Sequence, residues 1–230
     1  MRIAILAAMK EELKPFRKYF PTRTFLSKGK CQIEKSRIQN HEIILVETGI
    51  GKANAAFATT LLCHTLKPDL IINTGSAGAL LSKLSIGDVI FASEFVYSDV
   101  DATAFDYKLG QVPQMPEKYS VQKIYIDFFE SLQRTKKDYQ THIGQIVTSD
   151  SFMSSHDHTM HVITKFPDAL ASDMEGTAIA QVASFYDVPT FNVRSISDIA
   201  GKNSAETFDN ELDTAANNAF KEVIAICQNI

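Results

Sequence analysis

The sequence is poor in cysteine. It has three, Cys31, Cys63 and Cys227, an odd number set far apart with no CxxC pair. That argues against a disulfide framework and against a thiolate zinc site. It also lacks a basic excess: 23 Lys and Arg stand against 27 Asp and Glu, for a net charge of −4. The electrostatic footprint of a nucleic-acid or anionic-membrane binder is therefore missing. The cations are scattered, apart from a small knot at Arg134, Lys136 and Lys137, read here as a solvated helix end. No apolar run is long enough to span a bilayer. The opening MRIAILAAMKEE is too short, and acids follow it where a signal peptide would have small residues, so it reads as a first core strand. A protein of the reducing cytoplasm is expected. No repeat, low-complexity tract or linker is visible. HExxH and GxxxxGK[ST] are both absent, so neither a metal nor another cofactor is expected.

What remains is an ordinary globular composition, 45 % apolar and 22 % charged over 230 residues, which fits one domain, 1–230, with a large core. Residues 3–8 form a continuous apolar run, as in a strand buried on both faces. A charged helix follows over 10–20, with Pro15 near its start. Strands at 32–38 and 42–47 join through Gln39-Asn40 as a hairpin. Gly49-Ile50-Gly51 breaks the pattern before an Ala-rich helix at 52–66, in which Phe57, Leu61 and Leu62 read as core or subunit contact. A buried strand at 70–73 ends in a small-residue loop, 74–78. Further strands are predicted at 89–97, 142–148 and 189–195. Helices are predicted at 121–132, 155–165, 176–185 and 208–228. Residues 98–120 read as a long loop, and loops of that length tend to carry function. Strands alternating with helices imply a mainly parallel sheet with helices on both faces.

In such a sheet, ligands gather beyond the carboxyl ends of the strands, and the unusual residues sit there. Met9, Glu11 and Glu12 follow the first strand; Gly49 to Gly51 follow the hairpin. Residues 149–152 (Ser-Asp-Ser-Phe) follow the fourth strand. Asp173, Met174 and Glu175 precede a helix, and Arg194 to Asp198 follow the last strand. Each also has a plain structural reading. Glu11 and Glu12 suit the positive end of a helix dipole. Asp173 and Glu175 could cap a helix. Asp198 could cap or pair with Arg194, and Phe152 could be core. His158 and His161, near His156, share one side of a helix and read either as metal ligands or as surface.

The ordered set MxEE (9–12), TGIGK (48–52), IINTGSAG (71–78), DATAFxYxxGQxPxMP (101–116), SDSF (149–152), MExTAIA (174–180) and VRSISDIA (193–200) resembles the methylthioadenosine/S-adenosylhomocysteine nucleosidases along nearly the whole chain. The resemblance implies a three-layer α/β/α, nucleoside phosphorylase-like fold with a mixed, mainly parallel central sheet, and a homodimer. It implies hydrolysis of the N-glycosidic bond of 5′-methylthioadenosine and S-adenosylhomocysteine, and of 5′-deoxyadenosine, as in methionine salvage. It also implies roles. Asp198 would protonate N7 of adenine, and Glu12 would deprotonate the attacking water. Glu175, helped by Met174, would hold the ribose hydroxyls. Phe152 and the Met153 backbone would wall the adenine. Met9, Ile50, Ser76, Gly78, Arg194, Ser197 and Phe208 resemble other pocket residues. Phe105, Tyr107 and Pro113 resemble the part of the 101–116 loop that closes a partner subunit's 5′-substituent pocket.

The chemistry accounts for these residue types. Adenine is a poor anionic leaving group, so protonation helps it depart, and carboxylates stabilise the positive charge that develops on the ribose. An acid working near neutral pH needs a raised pKa, so Asp198 is expected to be partly desolvated. Phosphorylases of this type resemble RxG[ST] where this chain has Asn73, whose neutral amide is a poor phosphate ligand. Water is therefore the expected nucleophile. A futalosine hydrolase and a non-catalytic nucleoside sensor are the alternatives. Three positions depart from the family's common pattern: Asp173 for Glu, Gly176 for Ala and Ser98 for His.

Overall fold

The computed structural model describes residues 1–22, 24–25, 31–133 and 137–230. Strand β1 (Arg2–Ala7) leads into α1 (Lys10–Tyr19), with Pro15 inside the helix. A short β2 (Thr24–Phe25) precedes the hairpin of β3 (Gln32–Ile38) and β4 (His41–Glu47). Then come α2 (Lys52–Leu66), β5 (Leu70–Ala79) and β6 (Val89–Tyr97). The following segment holds only a 3-10 turn at Thr103–Phe105 before β7 (Tyr119–Ser120). The chain continues through α3 (Lys123–Leu132), β8 (Thr141–Thr148), α4 (His156–Lys165), β9 (Ala169–Asp173), α5 (Gly176–Ser184), β10 (Thr190–Ile199) and α6 (Ser204–Asn229).

The sheet is mixed. Its long ladders, β1 with β4 and β5, β5 with β10 and β6 with β8, run parallel; the β3–β4 hairpin and the short β6–β10, β5–β9, β6–β7 and β2–β3 contacts are antiparallel. Strand β10 pairs with both β5 and β6, so the path β10-β6-β8-β9-β5 closes on itself, and β1, β4, β3 and β2 extend from β5 as an open sheet.

The apolar run of β1 explains the layering. Side chains alternate across a strand. Ile3 and Ile5 pack with Leu13 and Phe16 of α1, Phe129 of α3 and Val223 and Ile226 of α6. Ala4 and Leu6 face the other way, onto Ala55, Ala58 and Leu62 of α2 and Ala178 and Ile179 of α5. Both faces are covered, so every position of β1 after Arg2 is apolar and buried. Inside the closed part, small side chains such as Ala77, Ala79, Ala92 and Ala171 make room for Phe95, Ile146, Leu170 and Ile196.

Several expectations are corrected. Residues 74–78 are strand, not loop, because β10 runs on beside them, pairing Val193 with Thr74, Arg194 with Gly75 and Ser195 with Ser76. The long-range ladder overrides the weak strand preference of small residues. The last strand correspondingly reaches Ile199, so Asp198 lies within it, at an irregularity between Ile196 and Asp198. Strand β9, five residues long, has no counterpart in the sequence reading. Arg134 and Lys136 lie outside the described residues, and Lys137 is no solvated helix end, since its Nζ donates to Glu222 at 2.8 Å. Leu62 is core, whereas Phe57 is 59 % exposed. The three cysteines are buried free thiols. Among the described residues no helix is long and apolar enough to cross a membrane.

Candidate active site

Glu12 and Glu11 separate at the first turn of α1. Glu11 stays at the surface beside Lys10, whereas Glu12 turns back and is 2 % exposed. Its Oε2 accepts from the backbone N–H of Ala8 at 3.0 Å and of Met9 at 3.1 Å, the second contact being half of a capping box. Its Oε1 accepts from the N–H of Ser76 at 2.9 Å and from Ser76 Oγ at 3.0 Å. Four donors, two just after the end of β1 and two at Ser76 within β5, thus fix one carboxylate.

Beside it runs a buried chain of polar groups. Arg194 on β10 is 1 % exposed. Its Nε donates to Asn192 Oδ1 at 3.0 Å and its Nη1 to the Ser76 carbonyl at 3.2 Å. Its Nη2 lies 3.1 Å from Asp173 Oδ2 and 3.2 Å from Glu175 Oε2. Glu175 Oε1 accepts from Gly51 N–H at 2.8 Å, at the start of α2. The two acids before α5 divide the work. Asp173 caps the helix, accepting from Gly176 N–H at 3.1 Å, while the Glu175 side chain makes no capping bond. Burial pushes the Glu175 carboxyl up to about 7; Arg194 opposes the rise, Asp173 adds to it, the Gly51 N–H opposes it and Glu12 adds to it.

Asp198 stands in a different setting. It is 2 % exposed, and its Oδ1 accepts from Ser197 Oγ at 2.8 Å. Burial raises its pKa, against the Ser197 hydrogen bond, as the sequence led one to expect. Phe152 and Phe208 meet edge to face with centroids 5.9 Å apart. Met153 is buried, and its carbonyl accepts from Gly201 N–H at 2.8 Å and Ser204 Oγ at 3.1 Å, tying the loop after β8 to the start of α6.

These groups surround one cavity of about 370 Å³. Met9, Glu12, Ile50, Ser76, Gly78, Phe152, Met153, Met174, Glu175, Arg194, Ser197, Asp198 and Phe208 all line it, so thirteen of the positions that the resemblance implied come together. Phe105, Tyr107 and Pro113 do not line it, and Phe105 is 77 % exposed. Ser172 and Asp173 line it from β9, Ala205 and Asp209 from the first turns of α6, with Ala8, Ala77 and Ser151. The start of α6 four residues before the predicted boundary is what brings Ala205 in.

Asn73 lies under the site, its Nδ2 donating to Asn192 Oδ1 at 3.2 Å. Arg194 is the one basic side chain among the described residues lining the cavity, and two carboxylates already hold it. His156, His158 and His161 sit on α4 and do not line the cavity. Among the described residues no group of three or more His, Cys, Asp or Glu could hold a metal ion.

Comparison with known proteins bears on the same residues. The family model described as the phosphorylase superfamily matches residues 2–228. A 5′-methylthioadenosine/S-adenosylhomocysteine nucleosidase of Geobacillus sp. (strain WCH70) is 41 % identical over 230 residues, covering 100 % of this chain and 99 % of its own. Among solved structures, the nucleosidase of that name from Neisseria meningitidis, in complex with methylthio-immucillin-A, superposes with a TM-score of 0.96 at 34 % identity, covering 100 % of this chain and 99 % of that one. The S-adenosylhomocysteine nucleosidase of Streptococcus pyogenes, in complex with 5-methylthiotubericidin, gives 0.94 at 36 % identity, covering 100 % and 97 %. The chain belongs to the phosphorylase superfamily and, within it, to the 5′-methylthioadenosine/S-adenosylhomocysteine nucleosidases, enzymes that hydrolyse an N-glycosidic bond.

Proposed function

We propose that the cavity hydrolyses 5′-methylthioadenosine and S-adenosylhomocysteine, and 5′-deoxyadenosine with them, through three carboxyl groups with separate duties. Asp198 gives its proton to N7 of adenine as the bond from C1′ to N9 breaks. The base leaves neutral, and positive charge gathers on the ribose. Water adds to C1′, and Glu12 takes its proton. Glu175 accepts from the ribose hydroxyls and, with Glu12, stabilises the cationic ring. Phe152 and Phe208 supply apolar wall to the base and the 5′ group.

The observation that carries this reading is the contrast between two acids on one cavity. Glu12 is gripped by three backbone N–H donors and by the Ser76 hydroxyl, which lines the cavity and can rotate to free the fourth acceptor site for water. Asp198 has a single hydroxyl donor and a raised pKa, as suits a proton donor. The occupied state of Arg194 favours water over phosphate, since a phosphate ligand needs a cation free to receive it.

The homodimer and the cytoplasm belong to the same proposal. An exposed Phe105 on a built turn suits a subunit contact, and three free buried thiols suit a reducing compartment. The test is incubation with each nucleoside in phosphate-free buffer, with free adenine as the expected product. Release of ribose 1-phosphate only when phosphate is present would overturn the hydrolytic reading. Preferential cleavage of futalosine would move the substrate, and tight binding without turnover would indicate a sensor.

A further inference from the structure

We infer that Asp173 is a positioning residue for Glu175, acting through the Arg194 guanidinium they share, and that position 176 is glycine because this carboxylate needs the room. The inference rests on the reading of Glu175 as the ribose-binding carboxylate.

Asp173 lines the cavity, yet it has no oxygen to spare for a ligand. Its side chain is fully buried. Oδ1 accepts from Thr148 Oγ1 at 2.6 Å and from Gly176 N–H at 3.1 Å. Oδ2 accepts from Asn192 Nδ2 at 2.7 Å and lies 3.1 Å from Arg194 Nη2. An ionised carboxylate has about four acceptor sites, and here all four are filled. Glu175 has one protein partner on each oxygen, Gly51 N–H and Arg194 Nη2, which leaves it capacity for hydroxyl donors. The same guanidinium nitrogen serves both acids. Asp173 and Glu175 share Nη2, and Asn192 Oδ1 accepts from Nε.

Gly176 points to the same conclusion. It is not among the glycines with positive φ, so its backbone would admit any residue. A β-carbon there would stand 2.5 Å from Asp173 Oδ2 and collide with Asn192 Nδ2. Glycine is a poor helix former, and what it provides at the start of α5 is space for the Asp173–Asn192 pair.

The arrangement has an electrostatic consequence. The charged groups facing Glu175 are Arg194 from β10, Asp173 from β9 and Glu12 from α1, with the Gly51 N–H of α2 opposite. Asp173 competes with Glu175 for the one cation. It therefore keeps Glu175 easier to protonate, and activity that needs ionised Glu175 falls as pH falls through about 7. Removing the Asp173 charge leaves Arg194 to Glu175 alone, which favours the ionised form.

The test compares pH profiles of kcat/KM for wild type, Asp173→Asn and Gly176→Ala, with melting curves to establish folding. Asp173→Asn is expected to move the acid limb to lower pH by about half a unit or more and to raise KM more than it lowers kcat. Gly176→Ala, which keeps every charge but crowds the pair, is expected to lower kcat/KM about tenfold or more. An unshifted acid limb in folded Asp173→Asn, or wild-type kcat/KM in Gly176→Ala, would overturn the inference. Glu175→Gln separates the two layers. If it keeps a wild-type KM, the ribose reading fails and the inference with it. If it binds nucleoside poorly while Asp173→Asn leaves the acid limb in place, the inference alone fails.

Discussion

Gly75 leaves open the space that the Glu12 carboxylate fills. A β-carbon on Gly75 would overlap Glu12 Oε1 and stand 2.9 Å from Arg194 Nη1, and the φ of +140° at Gly75 is one that side-chain-bearing residues rarely adopt. The acid of α1 can reach the Ser76 N–H only because β5 has no side chain at that point. Two distant stretches, MxEE and TGSAG, are therefore one device.

Gly75→Ala is expected to cost about 1–3 kcal/mol of stability in backbone strain, read from a melting curve, and to push Glu12 off its donors. If Glu12 is the base, turnover should fall about 10²–10⁴-fold, the range such groups contribute. Adenine release under saturating nucleoside measures it. Near-normal turnover in the alanine variant would remove Glu12 from the proton transfer.

Asp198→Asn tests the acid. The amide can still accept from Ser197, so the wall of the cavity is retained. It has no acidic proton to give, and turnover is expected to drop about 10²–10⁴-fold while nucleoside binding persists. The pH dependence carries the same information with a definite sign. Asp198 must be protonated to act, and burial raises its pKa, so activity declines as pH rises through that raised value. The alkaline limb should vanish in the asparagine variant. Substantial residual turnover, or an alkaline limb that survives, would assign the acid elsewhere.

How much of this could be read from the chain alone depends on the range of the interactions involved. Helix α2 falls on the predicted residues, because an Ala-rich run between Gly51 and Lys67-Pro68 carries its own start and stop. Strand β1 is equally plain, since double burial writes itself as an unbroken apolar run. By contrast, residues 74–78 have the composition of a turn and become strand only because β10 lies beside them. The five residues of β9 set one leucine among small and polar side chains, and their pairing with β8 and β5 leaves no local periodicity. Ser204 opens α6 with its hydroxyl on the Met153 carbonyl, 51 positions away, so the earlier start of that helix was not visible locally. The candidate residues were legible for another reason: each alone has a plain structural reading, and their roles came from the resemblance of the whole ordered set of motifs to a known family.

The loop that carries Phe105 gives the remaining prediction. It is built, not slack. Asp101 Oδ1 accepts from the Thr103 N–H at 3.0 Å and from Thr103 Oγ1 at 2.6 Å, and Asp106 closes the turn in the left-handed region at φ 64°. The product of that order is an aromatic ring 77 % exposed and outside this chain's own cavity. If a second copy receives it beside the 5′ substituent, Phe105→Ala removes apolar burial worth about 1.5–3 kcal/mol, and KM for methylthioadenosine should rise roughly ten- to a hundredfold. The change should be smaller for adenosine, which offers no alkylthio group to cover, and kcat should move little because the three carboxyl groups are untouched. Steady-state kinetics on both nucleosides, with sedimentation to follow the oligomer, measures this. An unaltered KM in a variant that still associates would separate the loop from the site.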